Sequence, residues 1–302
     1  MRTISKHPRT MKLLFVCTMW LLFVAADVSA YAFQDDKKGD AQDKTITDQA
    51  EYDAYIKALN ETNAATKGAA MIAFVEKYPK SVVLNDALAN ALGAFQQAGD
   101  EANVTTVAKR LLEIETNNVR ALAVLTFIVR QKASANNDSK LAAEAAGYAD
   151  HGLIAIPGFK KPDGMPDADF AAMKQSLSNI FYGAIGFNAF VSKKYAEAKS
   201  PFLKALAVDP NNILDNYQLG ISLLMMPAKD STGLWYVAKA SSLSKNSPAM
   251  HKVIEDFGKS ALRNIYKTDA GWDALVAKTA KENAPPVEAT AKAVSAKKTV
   301  KK

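Results

Sequence analysis

Residues 179–220 read NIFYGAIGFNAFVSKKYAEAKSPFLKALAVDPNNILDNYQLG. Small and aromatic residues recur in this stretch at the spacing of two packed helices, with Gly186 and Ala198 placed where the two backbones cross. The dipeptide Ile185-Gly186 returns 34 positions later as Leu219-Gly220. A repeat of this length predicts helix pairs that stack on one another along the chain.

The stretch resembles the tetratricopeptide-repeat family. The residues that match its repeat are Tyr182, Ile185, Gly186, Ala198, Phe202, Ala205, Pro210, Leu219 and Gly220. The best repeat covers 179–212, the next covers 213–248, and weaker matches extend the resemblance over 48–282. It implies an all-α, right-handed superhelix of about six antiparallel helix pairs, like those of exported bacterial repeat proteins.

Packing roles follow from residue size. Gly186 and Ala198 are expected to let two helices approach, and Phe202 to fill the space between successive pairs. Pro210 is expected to end a second helix, because proline lacks the N–H that would continue the hydrogen-bonded ladder.

The rest of the chain also has helical periodicity. Tyr52, Tyr55, Ile56 and Leu59 fall at the spacing of one helix face, and turn-forming residues separate about twelve such segments. The apolar run 124–129 could form a strand, but its place within a helix-length segment favours a buried helix. Three prolines and two glycines in 156–167 predict a long surface connection.

Both ends differ from this body. Residues 1–30 have the layout of a secretory signal peptide, with basic residues before an uncharged stretch at 13–26 and predicted cleavage after Ala30. An uncleaved membrane anchor is the alternative, although 14 residues are short for a span. Residues 31–47 are predicted to be a charged linker and 283–302 a disordered Ala/Lys-rich tail.

Composition restricts location and partners. Cys17 is the chain's one cysteine and lies within the signal, so a cleaved chain in the periplasm or outside the cell has no disulfide. The net charge of +7 comes from the two ends, since residues 31–291 contain 29 basic and 30 acidic groups. No nucleic acid is therefore expected on the folded domain, and no membrane span after cleavage.

No constellation of residues predicts catalysis, a metal or a cofactor. His151 and His251 lack partners at metal-ligand spacing, and Gly258-Lys259-Ser260 lacks the first glycine and the strand of a phosphate-binding loop. A carboxylate pair without a sequence signature stays possible in principle. We expect a protein that is not an enzyme.

The expected role is a non-catalytic binding scaffold or adaptor of the cell envelope. In stacked helix pairs the first helices line a concave face, where the predicted groove residues for a protein or peptide partner are Ile180, Phe187, Tyr217, Gln218 and Ile221. The alternative for these residues is core packing. The family's clamp for C-terminal carboxylates is not implied, because Gly183, Phe187 and Leu214 occupy its positions. The alternative function is a small-ligand or lipid carrier with a pocket between helices.

Overall fold

A computed structural model describes residues 45–285 of the chain. This part forms twelve α-helices and one 3₁₀ turn and contains no β-strand, so the predicted all-α fold of about twelve helices is confirmed. The helices are α1 (Gln49–Leu59), α2 (Ala64–Lys77), α3 (Leu84–Ala98), α4 (Glu101–Ile114), α5 (Val119–Asn136), α6 (Ser139–Ala155), α7 (Asp167–Val191), α8 (Tyr195–Val208), α9 (Ile213–Met225), α10 (Gly233–Leu243), α11 (Pro248–Tyr266) and α12 (Trp272–Thr279).

Short polar side chains start half of these helices. Each accepts a hydrogen bond from a backbone N–H of the first turn, which has no partner within the helix. The capping residues are Asp48, Asn63, Asp100, Asn118, Asp138 and Asn212. Gly99 ends α3 in the left-handed conformation with a φ of 72°, which glycine adopts without steric cost. The turn residues of the sequence therefore lie at helix boundaries.

Two ambiguous stretches adopt the structure that their neighbours favour. The apolar run 124–129 lies within α5, where tertiary packing buries most of its side chains, so the helix interpretation is confirmed. The connection from Ile156 contains a single 3₁₀ turn, Ile156–Gly158, before α7 begins at Asp167. Met165, two residues before α7, is buried and anchors the connection to the helices.

The helices pack in the order of the chain. Each helix contacts the next, and every extensive contact in the described part joins elements at most two positions apart. The odd-numbered helices α5, α7 and α9 also contact one another directly, whereas α10 contacts both α11 and α12. This succession of neighbour contacts fits an α-solenoid, in which each helix pair rests on the pair before it.

Several consecutive helices pack together through an aromatic ring of one helix that covers a glycine of the other. The Phe202 ring of α8 covers Gly186 of α7, and a methyl group at Gly186 would lie 2.7 Å from a ring carbon. Phe202 thus packs within its own helix pair, in the ring-sized space that Gly186 leaves, and also belongs to a buried cluster with Leu219 and Leu223 of the next pair. The other pairs are Gly68 with Phe95, Gly152 with Phe181 and Gly258 with Trp272.

The matched repeat positions lie in or beside the core. Gly186, Ala198, Phe202, Ala205, Leu219 and Gly220 are buried, and Tyr182, Ile185 and Pro210 are partly buried. Large apolar clusters follow one another along the helices, as expected when each pair buries its apolar face on the next.

Several sequence predictions lie outside the described residues. They are the signal peptide with Cys17 and its cleavage after Ala30, the linker up to residue 44, and the tail from residue 286 onward. Within residues 45–285 no helix is long and apolar enough to cross a membrane.

Candidate functional site

Two arginines of α5 connect four odd-numbered helices. Near the start of α5, Arg120 places its Nη2 3.4 Å from the Oε1 atom of Gln96 on α3. Near the end of α5, Arg130 donates to the carboxylate of Asp215 on α9. The second contact links residues 85 positions apart in the chain and passes across α7. Helices α3, α5, α7 and α9 therefore form one side-by-side layer, which we call the odd-helix layer.

Arg130 crosses α7 at a glycine. A methyl group at Gly183 would lie 2.4 Å from Nη1 of Arg130 and 3.1 Å from Oδ2 of Asp215. One turn further along α7, the Phe187 ring lies beneath the guanidinium, with 5.6 Å between Cζ and the ring centroid. Glycine leaves the passage open and phenylalanine supplies a π face, so α7 is shaped around the Arg130 side chain.

The ion pair is almost enclosed by protein. The Asp215 side chain is 1% exposed and that of Arg130 is 18% exposed. A carboxylate buried to this degree needs a charged partner, because an isolated ion in a low-dielectric interior costs several kcal/mol. Arg130 therefore stabilises α9 against α5 by neutralising Asp215.

Two amide oxygens of the odd-helix layer have no hydrogen-bond partner. They are Oδ1 of Asn90 on α3 and Oε1 of Gln218 on α9, and both residues are more than nine-tenths buried. The Asn90 amide nitrogen donates to the backbone oxygen of Asp86, so only its oxygen is unpaired. Each such oxygen costs about 1–3 kcal/mol unless another group donates to it.

Arg120 is a cation without a carboxylate partner in the described part of the chain. Many protein atoms surround its guanidinium, although part of its surface still meets solvent. Burial lowers the pKa of Arg120 because the charged form loses solvation. Gly93 lies beside the guanidinium, since a methyl group there would be 3.4 Å from Nη2. The layer thus contains one cation without a carboxylate partner and two enclosed acceptor oxygens without a donor.

The predicted groove residues lie on two of these helices but are more enclosed than an open groove would require. Phe187 is 3% exposed and Gln218 is 7% exposed. Ile180, Tyr217 and Ile221 are partly buried. The Tyr217 ring packs edge-on against Phe257 with centroids 5.8 Å apart, and burial raises its pKa to about 12. Ile180, Phe187 and Tyr217 thus pack against the core. The side-chain oxygen of Gln218 is enclosed and has no hydrogen-bond partner.

Sequence reasoning did not single out Asn90, Arg120, Arg130 or Asp215. One signal was available, because Arg130 ends the apolar run LTFIVR inside a helix that neighbours on both sides enclose. A charge within such a segment needs a partner, but the sequence does not show that Asp215 supplies it.

A serine, a histidine and a glutamate lie close together where α10 meets α11. Nδ1 of His251 is 3.2 Å from the Ser244 hydroxyl oxygen and 3.0 Å from the backbone oxygen of Ser241. Nδ1 must hold its proton to donate to that carbonyl, so it cannot accept one from Ser244. Glu255 lies 3.8 Å from the other ring nitrogen, Nε2. The arrangement fastens the end of α10 to α11 and does not activate a nucleophile.

No group of three or more histidine, cysteine, aspartate or glutamate side chains in residues 45–285 could hold a metal ion. The fold defines the chain as an all-α protein of successively packed helices. No protein-family model matches it, and no curated protein is significantly similar to it in sequence. The tetratricopeptide-repeat resemblance therefore rests on the residues of 179–220 quoted above.

Proposed function

We propose that this chain is a non-catalytic scaffold that holds a segment of another protein against the odd-helix layer. In the proposed arrangement the helix pairs form a right-handed tetratricopeptide-like superhelix, and the layer is its concave face. Side-chain movement on binding exposes the enclosed oxygens of Asn90 and Gln218 to the partner's backbone N–H groups, and Arg120 donates to an acidic or carbonyl group. The signal layout of residues 1–30 supports export to the periplasm or beyond.

The main support is the pair of unpaired oxygens on α3 and α9. For stability alone an apolar side chain would serve better at both positions, because it would bury surface without leaving an acceptor unsatisfied. Extended protein segments present one backbone donor and one acceptor per residue, which matches a side-chain amide. A binding role accounts for amides at two positions where packing alone favours leucine or methionine.

No specific observation favours the carrier alternative. The two described depressions, of about 420 and 360 Å³, open widely to solvent, and they lie on the surface along α8 and between α7 and α8. A carried lipid needs an apolar cavity that covers most of its surface.

The proposal can be tested with Asn90→Leu and Gln218→Met, each of which removes an unpaired oxygen. Asn90→Leu keeps the branching of the side chain, and Gln218→Met nearly keeps its volume. The chain 31–302 and its variants would be immobilised and incubated with an extract of the source cell envelope. We expect captured protein to fall at least about tenfold in each variant, the loss of roughly 1.4 kcal/mol. Stability to urea should stay equal or rise.

Gln97→Met is the matched control, because Gln97 also lies on α3 but its side chain is exposed. It should capture the same protein as the unchanged chain. Equal capture by all three variants would contradict the proposed use of the odd-helix layer.

A further inference from the structure

The solvent face of α8 is unusually apolar for an exposed helix. Its exposed residues include Ala196, Leu203, Ala207 and Val208, and Leu203 and Val208 are each 38% exposed. Glu197 is the one acidic residue on this face and already pairs with Lys194 at 3.4 Å. Charged and polar residues usually occupy such a face.

The even-numbered helix α4 shows the ordinary pattern. Its exposed residues include Glu101, Asn103, Thr106, Lys109 and Glu113, and its one large exposed apolar residue is Ile114 at its last position. An even-numbered helix of this chain can therefore fold without a cluster of apolar residues on its solvent face. Clustered exposed apolar side chains commonly mark a contact surface.

Two shallow grooves run along this face and meet at Lys204. The first, of about 420 Å³, is lined by Ala196, Lys199, Ser200, Leu203, Lys204 and Ala207. These residues span three turns of α8, about 16 Å at 1.5 Å per residue. The second groove, of about 360 Å³, lies between α7 and α8 and reaches Ile156, Lys174 and Val208. Together they form an elongated surface, which we call the α8 face.

Lysines are the charged residues that line both grooves. Lys204 lies 4.7 Å above the Tyr182 ring and Lys174 lies 4.6 Å above the Phe170 ring. Neither forms a salt bridge with a carboxylate among residues 45–285, whereas Lys199 pairs with Asp230 at 3.2 Å. No carboxylate lines either groove. The α8 face therefore combines an apolar floor with two ammonium groups that lack an anion.

We propose that the α8 face docks an acidic amphipathic helix of a partner protein. The apolar residues of that helix would cover Leu203 and Val208, and its carboxylates would meet Lys204 and Lys174. A helix of about three turns matches the length of the first groove. This surface contains none of Asn90, Arg120 and Gln218, which are proposed to bind the protein segment, so either proposal can fail without the other.

The test uses a fluorescent 15-residue probe helix with leucines along one face and glutamates elsewhere. Its anisotropy would be measured with the chain 31–302 and with Leu203→Asp and Lys204→Glu. We expect the Kd to rise at least about tenfold in both variants, because each places a negative charge opposite the probe. A probe with lysine in place of glutamate should not bind.

Ile114→Asp and Lys109→Glu on α4 are the matched controls, since they make the same changes on the exposed face of another helix. Both should bind the acidic probe as the unchanged chain does. Equal weakening in the test and control variants would overturn the proposal, as would equal binding of a probe with the same composition in scrambled order. Binding to anionic phospholipid vesicles that Leu203→Asp abolishes, without binding to the probe, would assign the face to a lipid surface instead.

Discussion

Individual side chains in this protein are placed by a few close contacts. Asp215 is nearly inaccessible to solvent, and Arg130 reaches it through the space that Gly183 leaves open. Removing one member of such a pair usually costs 3–5 kcal/mol, because the other charge stays buried without compensation. The pair therefore depends on the glycine as well as on its two charged members.

Gly183→Ala tests this arrangement. The added methyl group must displace the Arg130 guanidinium from Asp215, so we expect a loss of at least about 1 kcal/mol in the free energy of unfolding. Gly147→Ala is the control, because nothing lies within 4 Å of a methyl group at that position in α6. Alanine should stabilise that exposed helix site by about 0.5–1 kcal/mol. Urea denaturation curves of equal stability for the two variants would refute the packing argument.

The pKa of Tyr217 shows whether its ring lies in the core or in an open groove. Burial raises its pKa to about 12, whereas an exposed phenol titrates near ~10. Since the folded state favours the neutral phenol, this contribution to stability is complete below about pH 10 and disappears as pH rises toward 12. We expect Tyr217→Phe to reduce the loss of stability at alkaline pH. In an ultraviolet titration of the tyrosines, the variant should lack one phenol that ionises well above pH 10. A Tyr217 phenol that ionises near pH 10 would show that the ring is exposed.

At the scale of helices, α10 is the most enclosed element. Residues 233–241 are all buried, because α9, α11 and α12 surround this short helix. Close approach is possible where Gly220 of α9 meets Gly233, since a methyl group at Gly220 would lie 2.8 Å from the Gly233 backbone oxygen. Lys239 lies in this buried segment and is 2% exposed.

Lys239→Met should stabilise the fold. Burial lowers the pKa of the Lys239 ammonium, so its charged form destabilises the native state at neutral pH. The unfolded chain then binds more protons than the folded chain over a pH range that ends at about 10.4, the ordinary pKa of lysine. The free energy of unfolding therefore rises with pH through that range. We expect the methionine variant to be more stable at pH 7, on the order of 1 kcal/mol, and to lack this rise. Lower stability of Lys239→Met than of the unchanged chain at pH 7 would contradict the prediction.

For the whole molecule, neighbour contacts along the chain determine local stability. Helix α7 packs against α5, α6, α8 and α9, whereas α1 has an extensive contact with α2 alone and buries only Ala58. Proteins built from successive units open locally where the fewest neighbours support a unit. The two helices should therefore differ in their opening equilibria.

Amide hydrogen exchange can measure this difference. After correction for intrinsic rates, amides of α1 should exchange at least about tenfold faster than those of α7. Asp48→Ala removes the carboxylate that accepts the Glu51 N–H at 2.7 Å. It should speed exchange in α1 and leave α7 unchanged, because the lost cap is local. Uniform exchange across both helices would indicate a single cooperative unit instead.

Periodicity and capping residues were enough to predict the all-α class, the number of helices and the helix over 124–129. These features depend on local physics, namely the 3.6-residue spacing of apolar side chains and the backbone preferences of Asp, Asn, Gly and Pro. The sequence predicted the groove less completely than it predicted the fold. Helical spacing shows that Phe187 and Tyr217 lie on the apolar side of a helix, but it does not separate a groove wall from a core.

The sequence by itself determined which segments are helical, where most of them begin and end, and which positions in 179–220 face another helix. Only the tertiary structure decided that Arg130 meets Asp215 through the space at Gly183, that the oxygens of Asn90 and Gln218 stay unpaired, and that α8 keeps an apolar face exposed. The reason is distance along the chain. A helix forms from residues a few positions apart, whereas a buried ion pair joins groups 85 residues apart whose meeting depends on how every intervening helix packs.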